Sequence, residues 1–73
     1  MEKVYYKNEI RLGQALKLSG YAENGGLAKA MIQDGVVYLN GKVEKRRGKQ
    51  LASGDIVMIN FADEPISFEV IEE

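Results

Sequence analysis

The spacing of hydrophobic residues predicts a first helix that begins near Leu12. Leu12, Ala15, Leu16 and Ser19 fall at positions i, i+3, i+4 and i+7, so a helix places all four on one narrow face. Gly20 follows at the point where a helix C-terminus favours a residue that tolerates positive φ. We therefore predict a short helix over residues 12–19.

A second helix is predicted over residues 27–34. Asn24 is a suitable N-cap for it, and Gly35 is a suitable residue to end it. Leu27 and Met31 form an apolar pair one turn apart, with Ala28 and Ile32 beside them. This broad apolar face indicates a helix that packs against the core.

A β-hairpin is the strongest local prediction in the chain. Residues 36–39 are β-branched, aromatic or aliphatic, Asn40-Gly41 is the preferred pair for a type I′ turn, and residues 42–44 form the returning strand. Alternation along the strand puts Tyr38 on the side away from the core. There it either covers a neighbouring apolar edge or stacks on an unpaired base.

Three further strands complete the predicted sheet. Residues 4–6 form an edge strand or an ordered arm, which either covers the domain's own sheet or pairs with another chain. Residues 56–61 and 66–71 form a strand pair joined by a turn at residues 62–65. We predict a single α+β domain over residues 1–73, with two short helices packed on a small, mostly antiparallel sheet.

Composition then narrows the possible functions. The 73 residues include no cysteine and no histidine, which excludes thiol nucleophiles, disulfides, Cys/His zinc sites and imidazole acid–base catalysis. Asp34 beside a helix end and Asp55 in a turn suit structural roles, and the serines have no histidine to activate them. We expect no enzymatic activity, no cofactor, no metal and no small-molecule substrate.

Residues 1–7 lack the apolar run of a signal peptide, so we expect a cytoplasmic protein with no membrane partner.

Charge is divided unevenly along the chain, although the net charge is only −1. Residues 50–73 contain six acids and no base, whereas residues 11–49 contain eight bases and three acids. The middle of the chain is therefore the part suited to phosphate, unless these are ordinary solvated side chains. The eight bases are Arg11, Lys17, Lys29, Lys42, Lys45, Arg46, Arg47 and Lys49.

Five of these bases lie within residues 42–49, opposed there only by Glu44. Arginine binds phosphate through two parallel hydrogen bonds and lysine supplies a mobile charge, so the mixture suits a nucleic-acid backbone. The alternative is an exposed hairpin edge whose lysines prevent aggregation.

The combined pattern resembles the S4 RNA-binding domain over about residues 11–60. Within that family the chain looks most similar to small stand-alone bacterial proteins of the YaaA and YbcJ type. The residues that carry the resemblance are Leu12, Leu16, Ala28, Lys29, Ile32, Gly35, Val37, Leu39, Asn40, Gly41, Leu51, Gly54 and Asp55.

The resemblance implies an αL-type S4 fold in which the helix pair and the hairpin present a positive surface to ribosomal or transfer RNA. It also implies that the eight bases named above occupy RNA-facing positions. Many family members carry an arginine at the start of the second helix, where this chain has Gly25. We therefore expect lower affinity or an RNA surface displaced toward the hairpin, unless backbone N–H groups hold the phosphate instead.

The functional prediction is non-catalytic binding of structured RNA during ribosome assembly or another ribosome-associated process. We expect a monomer whose partner is ribosomal or transfer RNA, either free or within the ribosome. The alternative is a protein-interaction adaptor that keeps the fold and docks a partner through its acidic C-terminal strands.

Overall fold

The computed structural model describes residues 1–62 and 64–73. The predicted helices are both present, although the second begins two residues earlier than expected. The predicted turn at residues 62–65 includes Asp63, which lies outside the described residues. The elements are β1 (Glu2–Tyr6), β2 (Ile10–Arg11), α1 (Leu12–Leu18), α2 (Gly25–Gln33), β3 (Val37–Leu39), β4 (Lys42–Val43), β5 (Gln50–Leu51), β6 (Ile56–Phe61) and β7 (Glu64–Glu72).

The strands form a five-stranded sheet in the order β1-β7-β6-β3-β4 and a separate two-stranded ladder of β2 and β5. Among the described strands, β1 and β7 run parallel and the other pairs run antiparallel. The α+β class with two helices and a mostly antiparallel sheet is therefore confirmed. The segment predicted at residues 4–6 pairs with β7 of its own sheet.

The core is a single cluster to which both helices and the large sheet contribute. In α2 the buried residues are Ala28, Met31 and Ile32, whereas Leu27 is 41% exposed. The prediction that Leu27 packs in the core is therefore wrong, because Ala28 faces inward and adjacent residues on a helix point about 100° apart. The cluster consists of Val4, Tyr6, Ile10, Leu12, Ala15, Leu16, Ala22, Ala28, Met31, Ile32, Val37, Leu51, Val57, Ile59, Phe68 and Val70.

The hairpin turn between β3 and β4 has the predicted geometry. Asn40 has φ of 50° and Gly41 has φ of 88°, so both central residues occupy the left-handed region that a type I′ turn requires. Asn40 tolerates this region because its short polar side chain forms local hydrogen bonds, and glycine enters it with no steric penalty.

A side-chain network fastens this hairpin to the turn before β6. The Asn40 Nδ2 donates to Asp55 Oδ1 at 3.1 Å, and the Ile56 N–H donates to Asn40 Oδ1 at 2.9 Å. The other carboxylate oxygen of Asp55 accepts the Ala52 N–H at 2.8 Å. Asp55 therefore has the structural role that its place in a turn predicts.

Candidate nucleic-acid interface

The basic segment, residues 45–49, is held against the start of α1 by main-chain hydrogen bonds. The first N–H groups of a helix have no partner within the helix and must find one elsewhere. Here the Leu12 N–H donates to the Lys49 carbonyl at 2.9 Å, and the Gly13 N–H donates to the Arg47 carbonyl at 3.0 Å. The β2–β5 pairing continues this contact, because Arg11 lies opposite Gln50. The backbone thus fixes the segment in place.

Gly13 allows the basic segment to approach α1 closely. A Cβ at this position would lie 2.7 Å from the Arg47 Cγ, which is closer than real Cβ atoms come to a neighbour. Arg11 strengthens the contact by donating from Nη1 to the Gly48 carbonyl at 2.7 Å. Gln14 in turn accepts the Arg11 N–H through Oε1 at 3.0 Å. The aliphatic stem of Arg47 therefore lies directly over the first turn of α1.

These contacts form a groove, here called the first groove, between α1, the start of α2 and the basic segment. It encloses about 290 Å³ and brings together three cationic side chains from distant parts of the chain. Its lining consists of Arg11, Gly13, Gln14, Lys17, Gly25, Ala28, Arg47 and Gly48.

The three cations of the first groove, Arg11, Lys17 and Arg47, are all exposed. In residues 1–62 and 64–73, the ion pairs join Lys3 to Glu69 and Arg46 to Glu44, so no described carboxylate lies within 4.0 Å of a groove cation. The described acids of the C-terminal strands therefore form no ion pair with the groove cations. An open groove lined by one sign of charge attracts ions of the opposite sign.

Arg46 differs from its neighbour Arg47 because it is engaged with Glu44. Its Nε donates to Glu44 Oε2 at 2.9 Å and its Nη2 donates to Glu44 Oε1 at 3.1 Å. Hydrogen bonding by Arg46 is the largest cause that lowers the pKa of Glu44 to about 2, and the charge of Lys49 also contributes. The same pairing raises the pKa of Arg46. The Arg46 side chain is 70% exposed and the Glu44 side chain 14% exposed, so solvent weakens the pair from the arginine side.

The other predicted bases do not line the first groove. The Lys45 Cε would lie 3.5 Å from a Cβ at Gly35, so this side chain lies against the end of α2, where a cation is favourable. Lys29 is exposed on α2 directly after the groove residue Ala28. Lys42 is exposed beside the hairpin turn, and Lys49 is half-exposed at the end of the basic segment.

The start of α2 lacks the arginine of many S4 domains but has room for one. Asn24 accepts the Leu27 N–H through Oδ1 at 2.8 Å, as its predicted N-cap role requires. Gly25 borders the first groove, and a Cβ built there meets no atom within 4 Å. The missing side chain therefore corresponds to open space beside the three cations.

The structure thus brings together Arg11, Lys17 and Arg47 in one groove, whereas the other five predicted bases lie outside its lining. Sequence reasoning did not assign Gly13 or Gln14 to the site. The position of Gln14 could have been found, because it precedes Lys17 by three residues on the exposed side of the same predicted helix.

Two further features of the described residues bear on function. Neither helix combines the length and the apolar character that crossing a membrane requires, within the part of the chain that the structure describes. Across the same described ranges, no group of three or more acidic, histidine or cysteine side chains is placed to hold a metal ion.

Comparisons with known proteins agree with this architecture. A family model described as "S4 domain" matches residues 4–67. The chain is also 42% identical over 50 residues to a protein named "Probable ribosome maturation protein RlbA" from Bacillus subtilis strain 168. That alignment covers 68% of this chain and 70% of the Bacillus protein.

Proposed function

This chain belongs to the S4 domain family, and on that premise we propose that it binds structured RNA without catalysing a reaction. The printed name of the Bacillus relative links that protein to ribosome maturation, which supports a ribosome-related process for this chain as well. The proposed partner is ribosomal or transfer RNA, either free or within a ribosomal particle.

One observation carries the proposal: three cations converge on one groove, and none of them is within 4.0 Å of a described carboxylate. Arg11, Lys17 and Arg47 arrive from β2, α1 and the basic segment, and main-chain hydrogen bonds hold those pieces together. Because these backbone segments are already held together, only the three side chains must be ordered when they bind phosphate. The groove therefore supplies preformed contacts to an RNA backbone.

The mode of recognition follows from the chemistry of the surface. Arginine and lysine contact phosphates regardless of sequence, and double-stranded RNA is recognised mostly by shape and by its backbone. We propose that the first groove makes the central contacts and that the other predicted bases contribute further phosphate contacts. The complete proposed surface comprises Arg11, Lys17, Lys29, Lys42, Lys45, Arg46, Arg47 and Lys49.

A salt titration tests the electrostatic character of this binding. With roughly four to six phosphate contacts, affinity for a ribosomal RNA fragment should fall about a hundredfold or more between about 50 and about 200 mM salt. Filter binding or electrophoretic mobility shift across that range measures the slope. An affinity that does not change with salt would contradict the proposal.

Charge reversal in the basic segment tests its location. The double variant Arg46→Glu, Arg47→Glu should abolish the mobility shift, because it replaces two cations near the groove with anions. Its circular dichroism should remain that of the parent, since both side chains are exposed. Lys3→Glu is the control, because Lys3 pairs with Glu69 on the sheet and lies outside the proposed surface. It should leave RNA binding within about twofold of the parent.

The adaptor alternative predicts a different result for the same double variant. If the adaptor alternative holds, the double variant still binds the protein partner, and the parent itself gives no mobility shift with RNA. β7 is paired on one side with β1 and on the other with β6, so a partner cannot extend the sheet by adding a strand beside it. It would have to dock on the side chains of the acidic strands.

A further inference from the structure

A second groove adjoins the first along α1, and we propose that it accepts one unpaired nucleotide of the bound RNA. The inference rests on the proposed function and specifies the RNA more closely, as a duplex that carries a bulged or flanking unpaired nucleotide. The second groove encloses about 490 Å³ and is lined by Tyr6, Lys7, Glu9, Ile10, Gln14, Lys17 and Leu18.

The two grooves form one continuous surface because they share Gln14 and Lys17. These residues lie one turn apart on the exposed side of α1, so their side chains separate the two grooves. An RNA backbone held by Arg11 and Arg47 in the first groove therefore passes Lys17 as it enters the second. A single RNA strand can therefore occupy both grooves at once.

The second groove also has apolar character that phosphate binding does not explain. Leu18 is 60% exposed at the end of α1 and borders the groove. Tyr6 and Ile10 contribute to the lining from the core and are almost fully buried. An apolar surface beside cations suits a nucleoside, whose base has a flat apolar face and whose phosphate is anionic.

The polar groups of the second groove match the edges of a base and its phosphate. Glu9 supplies a carboxylate acceptor, and Gln14 retains its amide Nε2 as a donor because its Oε1 accepts the Arg11 N–H. Lys7 and Lys17 supply positive charge on the same groove. Base edges carry both donors and acceptors, so a pocket with both kinds of partner can hold one in a defined orientation.

The size of the second groove favours a single nucleotide over a paired segment. Pockets for small ligands enclose about 300–1,000 Å³, and this groove lies in that range. Bases within a duplex are hidden in the stack, so the base that enters must be unpaired. The two lysines favour this anionic ligand over an apolar peptide, which would need only the Leu18 surface.

The test compares three RNA hairpins of the same stem: fully paired, with one bulged nucleotide, and with the same bulge lacking its base. The last two have equal numbers of phosphates, so their affinity ratio isolates the contact with the base. The parent protein should bind the complete bulge about fivefold to tenfold more tightly than the abasic bulge. This ratio lies in the lower part of the range of affinity gains expected from contact with one base.

Leu18→Ala should reduce that ratio to about twofold or less, since it removes apolar contact without changing charge. Leu27→Ala is the matched control, because Leu27 is also exposed on a helix but does not line either groove. It should keep the ratio of the parent. Both variants truncate exposed side chains, so neither should alter the circular dichroism spectrum.

Two results would overturn this inference while leaving the proposed function standing. The first is that the parent binds the complete and the abasic bulge with equal, salt-dependent affinity. The second is that Leu18→Ala keeps the affinity ratio of the parent, which would show that the exposed leucine contacts a protein partner or solvent and not the base. Failure of the parent to bind any of the three hairpins, or any ribosomal RNA fragment, would instead contradict the proposed function itself.

Discussion

Two polar regions of this small domain, the hairpin network and the basic segment, use their side chains in opposite ways. In the hairpin network, Asn40 and Asp55 give their side chains to the fold and satisfy main-chain groups of Ala52 and Ile56. In the basic segment, main-chain carbonyls of residues 47–49 make the contacts with β2 and α1, and the Arg47 side chain forms no ion pair with a described carboxylate. Where main-chain hydrogen bonds already hold a loop in place, as they do here, its polar side chains are available to bind a ligand.

The largest effect should come from breaking the hairpin network with Asp55→Ala. The variant removes a charged acceptor from the Ala52 N–H and from the Asn40 amide, so the free energy of unfolding should fall by about 2 kcal/mol. Urea denaturation measures this loss. The affinity of the folded fraction for RNA should change by no more than about twofold, because Asp55 makes no contribution to the grooves.

Asp34→Ala supplies a matched control for that measurement. Asp34 is exposed at the C-cap of α2, and its change should alter the free energy of unfolding by less than about 0.5 kcal/mol. If Asp55→Ala instead weakened RNA binding and left stability unchanged, the division of roles between the two regions would be wrong.

An intermediate effect should distinguish the two adjacent arginines of the basic segment. Arg47→Gln removes a cation of the first groove, so RNA affinity should fall about tenfold and the salt slope should decrease by about one phosphate contact. Arg46→Gln should lower affinity less than about threefold, because Glu44 already offsets much of the Arg46 charge. Titration of both variants with one hairpin RNA measures the difference. Equal losses would show that the Glu44 pair opens when RNA binds.

The pKa of Glu44 provides an independent readout of the Arg46 variant. In the folded protein this pKa lies at about 2, below the ordinary value of 4.5, so the pairing stabilises the fold above about pH 4.5 and loses its effect as pH falls toward 2. Arg46→Gln should move the pKa of Glu44 back toward the ordinary value. An NMR pH titration follows the carboxyl carbon directly.

The smallest effect should be a gain of affinity from Gly25→Arg. A side chain at Gly25 enters open space at the border of the first groove, so a guanidinium there adds one phosphate contact. RNA affinity should rise about threefold to tenfold at low salt, with a salt slope steeper by about one contact. Gly25→Gln is the control of similar length without charge, and it should leave affinity within about twofold of the parent. A gain as large in this control would exclude an electrostatic cause.

Local patterns in the sequence were sufficient to predict both helices and the hairpin. The i, i+3, i+4 spacing from Leu12 and the Asn40-Gly41 pair each specify a structure within a few residues. The S4 resemblance joined these pieces into the correct fold class, and the family match over residues 4–67 agrees with it.

The contacts that shape the site could not be predicted in the same way. β2 and β5 have two residues each, too few to show alternation, and their pairing joins segments about forty residues apart in the sequence. Arg46 and Arg47 are identical in type and adjacent, so only the structure separates the one paired with Glu44 from the one over Gly13. The exposure of Leu18 likewise depends on which helix faces the tertiary packing leaves uncovered.

The parallel pairing of β1 with β7 has a consequence for synthesis of the protein. Residues 2–6 are translated early, yet their partners are residues 68–72, so β1 must wait for nearly all of the intervening chain before it can join the sheet. Translation adds about 5–20 residues per second, which leaves this strand unpaired for several seconds. The large sheet therefore cannot be completed before residues 68–72 have been synthesised.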